Sequence, residues 1–388
     1  MRGGAVLLGF ALLAAAQTDP PLRREGSFWV DTVQGEVPTG EIESLRISCP
    51  GSLSVRGVAG RSAIRYVLVR RVRAAEQGQA RRLLSQIVLR SASSRSGIAL
   101  WVSQPMRSAT ACELEVEVPS AVSRTVLTAA TGSVRIAGLD GAVRVATAGG
   151  RIWLDRIGGD VIARTGGGDI EAGDLNGALH CRSGGGSIRA RRIAGNARLE
   201  TAGGEIVVGE IGGKLEAVTA GGNIQVERAA STVVANTAGG LIRVRHAGGM
   251  VVGATGSGAI TVGAAAGVRA QSGVGPLDLR GIAGPIQAST SAGSIVAELV
   301  RLEFDESYLR THAGDITVYI PSNLAVSVRA WNQSPWRVRQ IVSDFRELAI
   351  KPAGSPSAPV VMAEGSLNGG GPLLEISAAG GTIYLRRK

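Results

Sequence analysis

The feature that most constrains this chain is a glycine-centred motif that returns every eighteen residues. Aligned on the Thr or Ser ahead of the glycines, the sequence reads TGSVRI from 131, TAGGRI from 147, TGGGDI from 165, SGGGSI from 183, TAGGEI from 201, TAGGNI from 219 and TAGGLI from 237. It continues with TGSGAI from 255, SGVGPL from 272, TSAGSI from 290 and THAGDI from 311. The step is 18 residues six times in succession, with 16, 17 and 21 toward the edges. Such self-similarity marks a repeat architecture, in which each unit buries its apolar face only against its neighbours.

Each unit splits into two nines, as in GGKLEAVTA followed by GGNIQVERA. A nine holding two glycines and a short alternating segment is one strand and one corner, so eighteen residues make a two-strand coil. Coils stacked in register at about 4.8 Å predict a parallel β-solenoid of about ten 18-residue two-strand coils, very roughly 50 Å long. One half-coil places Ile206 with Val208, Ile224 with Val226, Ile242 with Val244 and Ile260 with Val262 on the inward face. The other repeats a large, small, hydroxyl order: Val143-Val145-Thr147, Val161-Ala163-Thr165, Leu179-Cys181-Ser183, Leu215-Ala217-Thr219, Val233-Ala235-Thr237 and Ile286-Ala288-Thr290. The corner set Thr201, Gly203, Gly204, Thr219, Gly221, Gly222, Thr237, Gly239 and Gly240 is structural. Its glycines are expected to supply positive φ and close backbone approach, and its threonines to bond their own turn or the next coil's Thr. Composition agrees: 56 glycines and 3% aromatics leave a core of aliphatic residues between turns, an all-β class.

Solenoid ends need sealing. An N-terminal strand-helix-strand cap is expected over 27–125, with SLSVRG, AIRYVLVRRV, GIALWV and CELEVEVP as strands and AAEQGQARRLLSQ as a helix. The repeats occupy 126–318. A C-terminal β cap follows over 319–388, with strands in LAVSVRAW, PLLEIS and GTIYLRRK around a loop KPAGSPSAPV, and with Trp331, Trp336 and Phe345 as cap core. Residues 1–16 have the layout of a signal peptide, an apolar run from Ala5 to Leu13 before Ala14 and Ala16, and 17–26 read as flexible. No later segment has the length and hydropathy of a transmembrane helix, so the mature protein is expected to be exported: periplasmic, cell-surface or secreted.

The stretches CELEVEVPSAV, GSVRIAGLDGAVRVATAGGRIWL, the TAGG coils, IPSNLAVSVRA, SDF at Ser343 to Phe345, and GSLNGGGPLLEISAAGGTIYLRR together resemble the bacterial putative-adhesin family, over about Ser27 to Lys388. The resemblance implies an exported β-solenoid of the cell envelope without enzyme activity. That family, a domain of unknown function, has no defined catalytic or ligand residues to carry over.

Specific chemistries fare poorly. A phosphate loop needs glycines that lead into a helix, and here they lead into alternating strands. A calcium roll needs Asp at the sixth position of the nine, which carries Ala217, Val226, Ala235 and Val244. His180, His246 and His312 fall 66 residues apart, not a multiple of eighteen, so they cannot stack into a metal site. No cofactor or metal is expected. Of three cysteines, Cys49 and Cys112 pair only if their strands are neighbours, free buried thiols being the alternative, and Cys181 falls in the small inward column.

The net charge of +11 is carried almost entirely by Arg spread along the chain, which predicts a solvated, sign-mixed surface. Outward Arg164, Arg182, Arg189 and Arg243 are the candidates for contact with anionic envelope polymers; another surface protein is the other partner considered, and nucleic acid is not expected. An acidic region of Asp155, Asp160, Asp169, Asp174 and Glu205, with Asp169 and Glu205 near 10 Å apart on a regular solenoid, supports a rival reading as an envelope polysaccharide-active enzyme. Arg164, Arg182 and Arg189 among those carboxylates favour a solvated face instead. The reading is a monomeric, non-enzymatic, adhesin-like surface scaffold or binding protein.

Overall fold

The computed structural model describes residues 22–40, 42–94, 96–104, 110–302, 306–333, 340–355 and 358–388; the expected signal peptide and Trp336 lie outside them. Among the described residues the chain is all-β with one helix, Gln77–Leu84, and it divides into two compact units, Met1–Gly177 and Ala178–Lys388. Both are parallel β-solenoid, built from two ladders of short strands.

Between Ala197 and Thr237 the eighteen-residue step becomes strand pairing without a slip, whereas Leu277–Ala283 pairs with Ile295–Arg301 through register shifts on either side of Ile282. Leu215↔Val233, Ala217↔Ala235 and Thr219↔Thr237 stand opposite one another in one ladder. Ile206↔Ile224 and Val208↔Val226 do so in the other. The inward columns are sealed: Leu215, Ala217, Val233, Ala235, Ile224, Ile242 and Val244 are all 0% exposed. Alternation decides this burial, since successive Cβ atoms point to opposite faces and the apolar set has period two. One coil inverts the order, with Ala197 where its neighbours carry Leu179 and Leu215, and Leu199 between Cys181 and Ala217. The swap holds the volume of the layer roughly constant, the kind of change cores tolerate best.

Two expectations about the corners change. Positive φ occurs at Gly138, Gly275, Gly281 and Gly314 but at none of Gly150, Gly204, Gly222 and Gly240. In these four motifs the last glycine is there for contact alone. A Cβ on Gly204, Gly222, Gly240 or Gly258 would lie 2.2, 1.9, 1.9 or 2.0 Å from the glycine carbonyl oxygen of the preceding coil. The glycine before it meets almost nothing: Gly239 has no atom within 4 Å of such a Cβ, and Gly221 only the Gly203 oxygen at 3.9 Å. The threonines, in turn, do not bond to one another. Thr219 Oγ1 donates to the Gly204 carbonyl one coil back (3.0 Å) and accepts from Gly222 N in its own turn (3.1 Å). Thr201, Thr237 and Thr255 repeat the pair of bonds. Each hydroxyl thus satisfies a backbone carbonyl and a backbone N–H at once.

The coil pattern also reaches beyond the motif array, in an order the sequence does not follow. In the first unit Ser44–Cys49 pairs in parallel with both Arg124–Ala129 and Gly97–Ser103. Ser52–Val58 likewise lies between Val134–Leu139 and Thr110–Pro119. The coil at 97–119 therefore stacks outside the coil at 44–58, although it follows it in sequence. Antiparallel strands finish the ladders: Ala63–Val72 on Thr110–Pro119, Phe28–Pro38 on Ala63–Val72, and Val88–Ser93 on Gly97–Ser103. Arg23–Glu25, in the stretch expected to be flexible, pairs with Phe28 to Val30. In the second unit the coil at 373–387 inserts between those at 307–320 and 326–343.

The expected loop KPAGSPSAPV is instead part of a hairpin, Ala349–Ser355 against Ala358–Leu367. Its prolines, Pro352 and Pro359, sit in strands that have one antiparallel neighbour or lie near a strand end, where a missing N–H is tolerated. Trp331 is not core either: it faces outward, half-buried, on Val326–Asn332, whereas Phe345 is buried at 5% with the Arg387 guanidinium 5.1 Å from its ring centroid.

A candidate binding face

Two outward columns run across one ladder of the second unit. The first is His180, Arg198, Glu216, Val234, Val252, Arg269, Gln287; the second is Arg182, Glu200, Val218, Asn236, Ala254, Gln271, Ser289. In-register stacking brings equivalent positions within about 4.8 Å, so like charges in one column repel and a column must alternate sign or go neutral. Both solutions appear. Arg198 Nε donates to Glu200 (2.5 Å) and Arg198 Nη1 to Glu216 (3.5 Å), which holds the Glu200 carboxyl below its usual range through the hydrogen bond from Arg198. Past Glu216 the charges stop. Val218, Val234, Asn236, Val252 and Ala254 are all half-buried and uncharged, and charge returns only at Arg269, which donates to Gln287 (2.7 Å).

This neutral stretch contains a shallow depression of about 560 Å³ between Val218, Asn236, Ala254 and Gln271, bordered by the corners at Ala238 and Gly256. The small Ala254 between two longer amides makes the floor. The hydroxyls of Thr219, Thr237 and Thr255 line it but are committed to the corner bonds. The side-chain amides of Asn236 and Gln271 make no hydrogen bond among the described residues and stand two coils apart, about 10 Å. The face therefore offers aliphatic surface and neutral donors and acceptors. It holds no nucleophile beside a base.

The residues singled out from sequence do not converge. Arg164 belongs to the first unit, on Val161–Thr165. Arg182 lies in the ladder just described, 3.9 Å from Glu200. Arg189 and Arg243 are exposed on the other ladder of the second unit, opposite Val207 and Gln225 respectively. Asp155, Asp160, Asp169 and Asp174 lie in the first unit and Glu205 in the second. Asp169 is paired with Arg151 (3.3 Å), and Glu205 accepts from Gln225 Nε2 (2.7 Å). Elsewhere too the arginines pair with acids in the next coil, as Arg245 does with Glu227 (3.0 Å). Among the described residues no group of three or more His, Cys, Asp or Glu could hold a metal ion, and no helix is long and apolar enough to cross a membrane. No chemical motif marks the neutral face in the sequence; its signal is five outward positions in succession without charge, legible once the columns are drawn.

No family model and no curated protein matches the sequence. Solved structures do. A putative cell adhesion protein from Clostridium sporogenes ATCC 15579 is 10% identical, with 92% of this chain and 100% of that one covered and a TM-score of 0.21. A putative adhesin from Bacteroides fragilis NCTC 9343 is 11% identical, over 92% and 97% of the two chains, with a TM-score of 0.30. A putative lipid binding protein from Parabacteroides distasonis ATCC 8503 is 13% identical, over 74% and 96%, with a TM-score of 0.27.

Proposed function

We propose that this protein is a non-enzymatic, exported surface scaffold of the cell envelope that binds another protein through the neutral face between Glu216 and Arg269. The observation that supports this is local. In a chain with 42 Lys and Arg and 31 Asp and Glu, five consecutive outward positions on one face carry no charge. Solubility alone gives no reason for such a gap, and depletion of charge at the centre with a charged rim is the composition of protein interfaces. A protein partner fits better than a glycan, because Val218, Val234, Asn236, Val252, Ala254 and Gln271 include no aromatic ring for a sugar to stack on.

The test is capture from detergent-extracted envelope fractions by the immobilised mature protein. Val234→Glu and Ala254→Arg point outward and leave the core alone, so circular dichroism should be unchanged while capture falls at least tenfold. Capture should also vanish when the fraction is protease-treated. Undiminished capture by both variants would remove the face from the reading, and protease-resistant capture would point to a glycan. The enzyme reading is tested separately: Asp169→Asn with Glu205→Gln should leave polymer turnover at background across a substrate panel, as in the parent chain.

A further inference from the structure

The threonine column has one informative exception. Following the ladder back from Thr147, the equivalent positions are Ala129 and then Cys49. Where Thr147 donates its hydroxyl to the Gly132 carbonyl of the preceding coil (2.9 Å), Cys49 presents its thiol to a second thiol: Cys49 Sγ and Cys112 Sγ are 3.6 Å apart. Cys112 opens Thr110–Pro119, the strand of the out-of-order coil that pairs with Ser52–Val58. The corner between them is tight, since a Cβ on Gly51 would lie 1.8 Å from the Cys112 carbonyl oxygen. The two residues are 1% and 4% exposed and 63 positions apart in sequence.

From this geometry we infer that Cys49 and Cys112 are a built disulfide site, a covalent staple that replaces the corner hydrogen bond between these two coils. Closing it needs the sulfurs to approach from 3.6 Å to about 2.0 Å, a side-chain adjustment within one contact shell. The location has a physical logic. Solenoids lose coils from their ends, and this coil is held in place across a long intervening segment that the bond would close. The reaction is thiol–disulfide exchange with a donor disulfide, such as oxidised glutathione or the disulfide of an oxidoreductase. The Cys112 thiolate attacks one donor sulfur and the donor S–S bond breaks, its other sulfur leaving as a thiol. The Cys49 thiolate then attacks Cys112 Sγ and releases the second donor thiol. Two protein thiols lose two electrons and two protons, and the donor gains them. The two thiols can exchange these roles, since either sulfur can donate the hydrogen bond between them. Burial means that the donor acts during folding or through fraying of the outer coil.

Cys181, buried like them at 0% exposed, is the internal control, because it faces no second thiol. The full chain is refolded with oxidised glutathione, blocked with an alkylating agent and mapped as non-reduced peptides. The expected result is a peptide pair joining Cys49 to Cys112, short of two hydrogens, with Cys181 alkylated once unfolded. The lowest unfolding midpoint should rise by at least about 5 °C and fall back with dithiothreitol. Cys49→Ala is the matched variant, since Ala129 shows that the column accepts alanine, and it should fold yet show no dithiothreitol-sensitive shift. Three alkylatable thiols after oxidation, glutathione adducts on both cysteines, or the same shift in Cys49→Ala would each overturn the assignment.

Discussion

Replacing Gly222 with Ala should cost far more than the same change one residue earlier, although the two glycines are adjacent in an identical motif. The new Cβ would lie 1.9 Å from the Gly204 oxygen, 2.4 Å from its carbon and 2.9 Å from Glu205 N, all backbone atoms that cannot rotate away. Even attractive carbon–oxygen contacts sit near 3.3 Å, so the coils must part by about 1.4 Å at this corner. That displacement breaks the bond from Ile206 N to the Asn223 carbonyl (2.9 Å) and the one from Thr219 Oγ1 to the Gly204 carbonyl (3.0 Å). Two lost bonds at about 0.5–1.5 kcal/mol each, plus about 1–3 kcal/mol of overpacking, give roughly 2–6 kcal/mol. At Gly221 the nearest atom is 3.9 Å away and φ is not positive, so Gly221→Ala should lie within about 0.5 kcal/mol of the parent. Urea unfolding followed by circular dichroism measures both. Equal effects would refute the claim that the second glycine alone is fixed by coil-to-coil contact.

Three further substitutions probe separate parts of the account. Arg70 makes a two-pronged ion pair with Asp31 (2.7 and 2.6 Å) and donates to the carbonyls of Leu84 and Ile87. Arg70→Met therefore leaves Asp31 buried and alone, which should cost about 3–5 kcal/mol and speed amide exchange in Gln77–Leu84; unchanged exchange there would contradict the role. Thr125 is 0% exposed, stands in the large-aliphatic column opposite Val143, and its hydroxyl has no partner among the described residues. Thr125→Val should stabilise by about 1 kcal/mol in a denaturant titration. Gly253 occupies the small column between Ala235 and Ala270, and a Cβ there would meet Ile260 at 3.5 Å. Gly253→Ala should gain about 0.5–1 kcal/mol, read as a higher melting midpoint, and a loss would mean that the column is already full.

The middle of the fold was legible because its rule is local: a two-residue alternation inside an eighteen-residue step determines which residues face inward, and the columns through Val233, Ala235 and Thr237 follow directly. What depends on the neighbouring coil was not. The two glycines of TAGG look alike until a carbonyl from the coil below is placed against one of them. The Thr hydroxyl's second partner lies fifteen residues back, at a distance in sequence that no turn rule covers. The out-of-order coils at 97–119 and 373–387 carry ordinary strand sequences, and nothing local says which strands they join. Of the candidate site, the arginines chosen for their charge are scattered over different faces, whereas the neutral stretch from Val218 to Gln271 emerges only when outward positions are read as columns.

Removing one whole coil tests the register on which all of this rests. Deleting the eighteen residues Thr201 to Val218 joins Glu200 to Thr219, and since Thr201↔Thr219 and Ile206↔Ile224 are register partners, every column is preserved. That variant should fold with the parent's dichroism per residue and unfold cooperatively. Deleting only Thr201 to Gly209 exchanges the two half-coil types, puts corners against strands, and should abolish the cooperative transition. Two deletions that behave alike, both folded or both collapsed, would contradict the account.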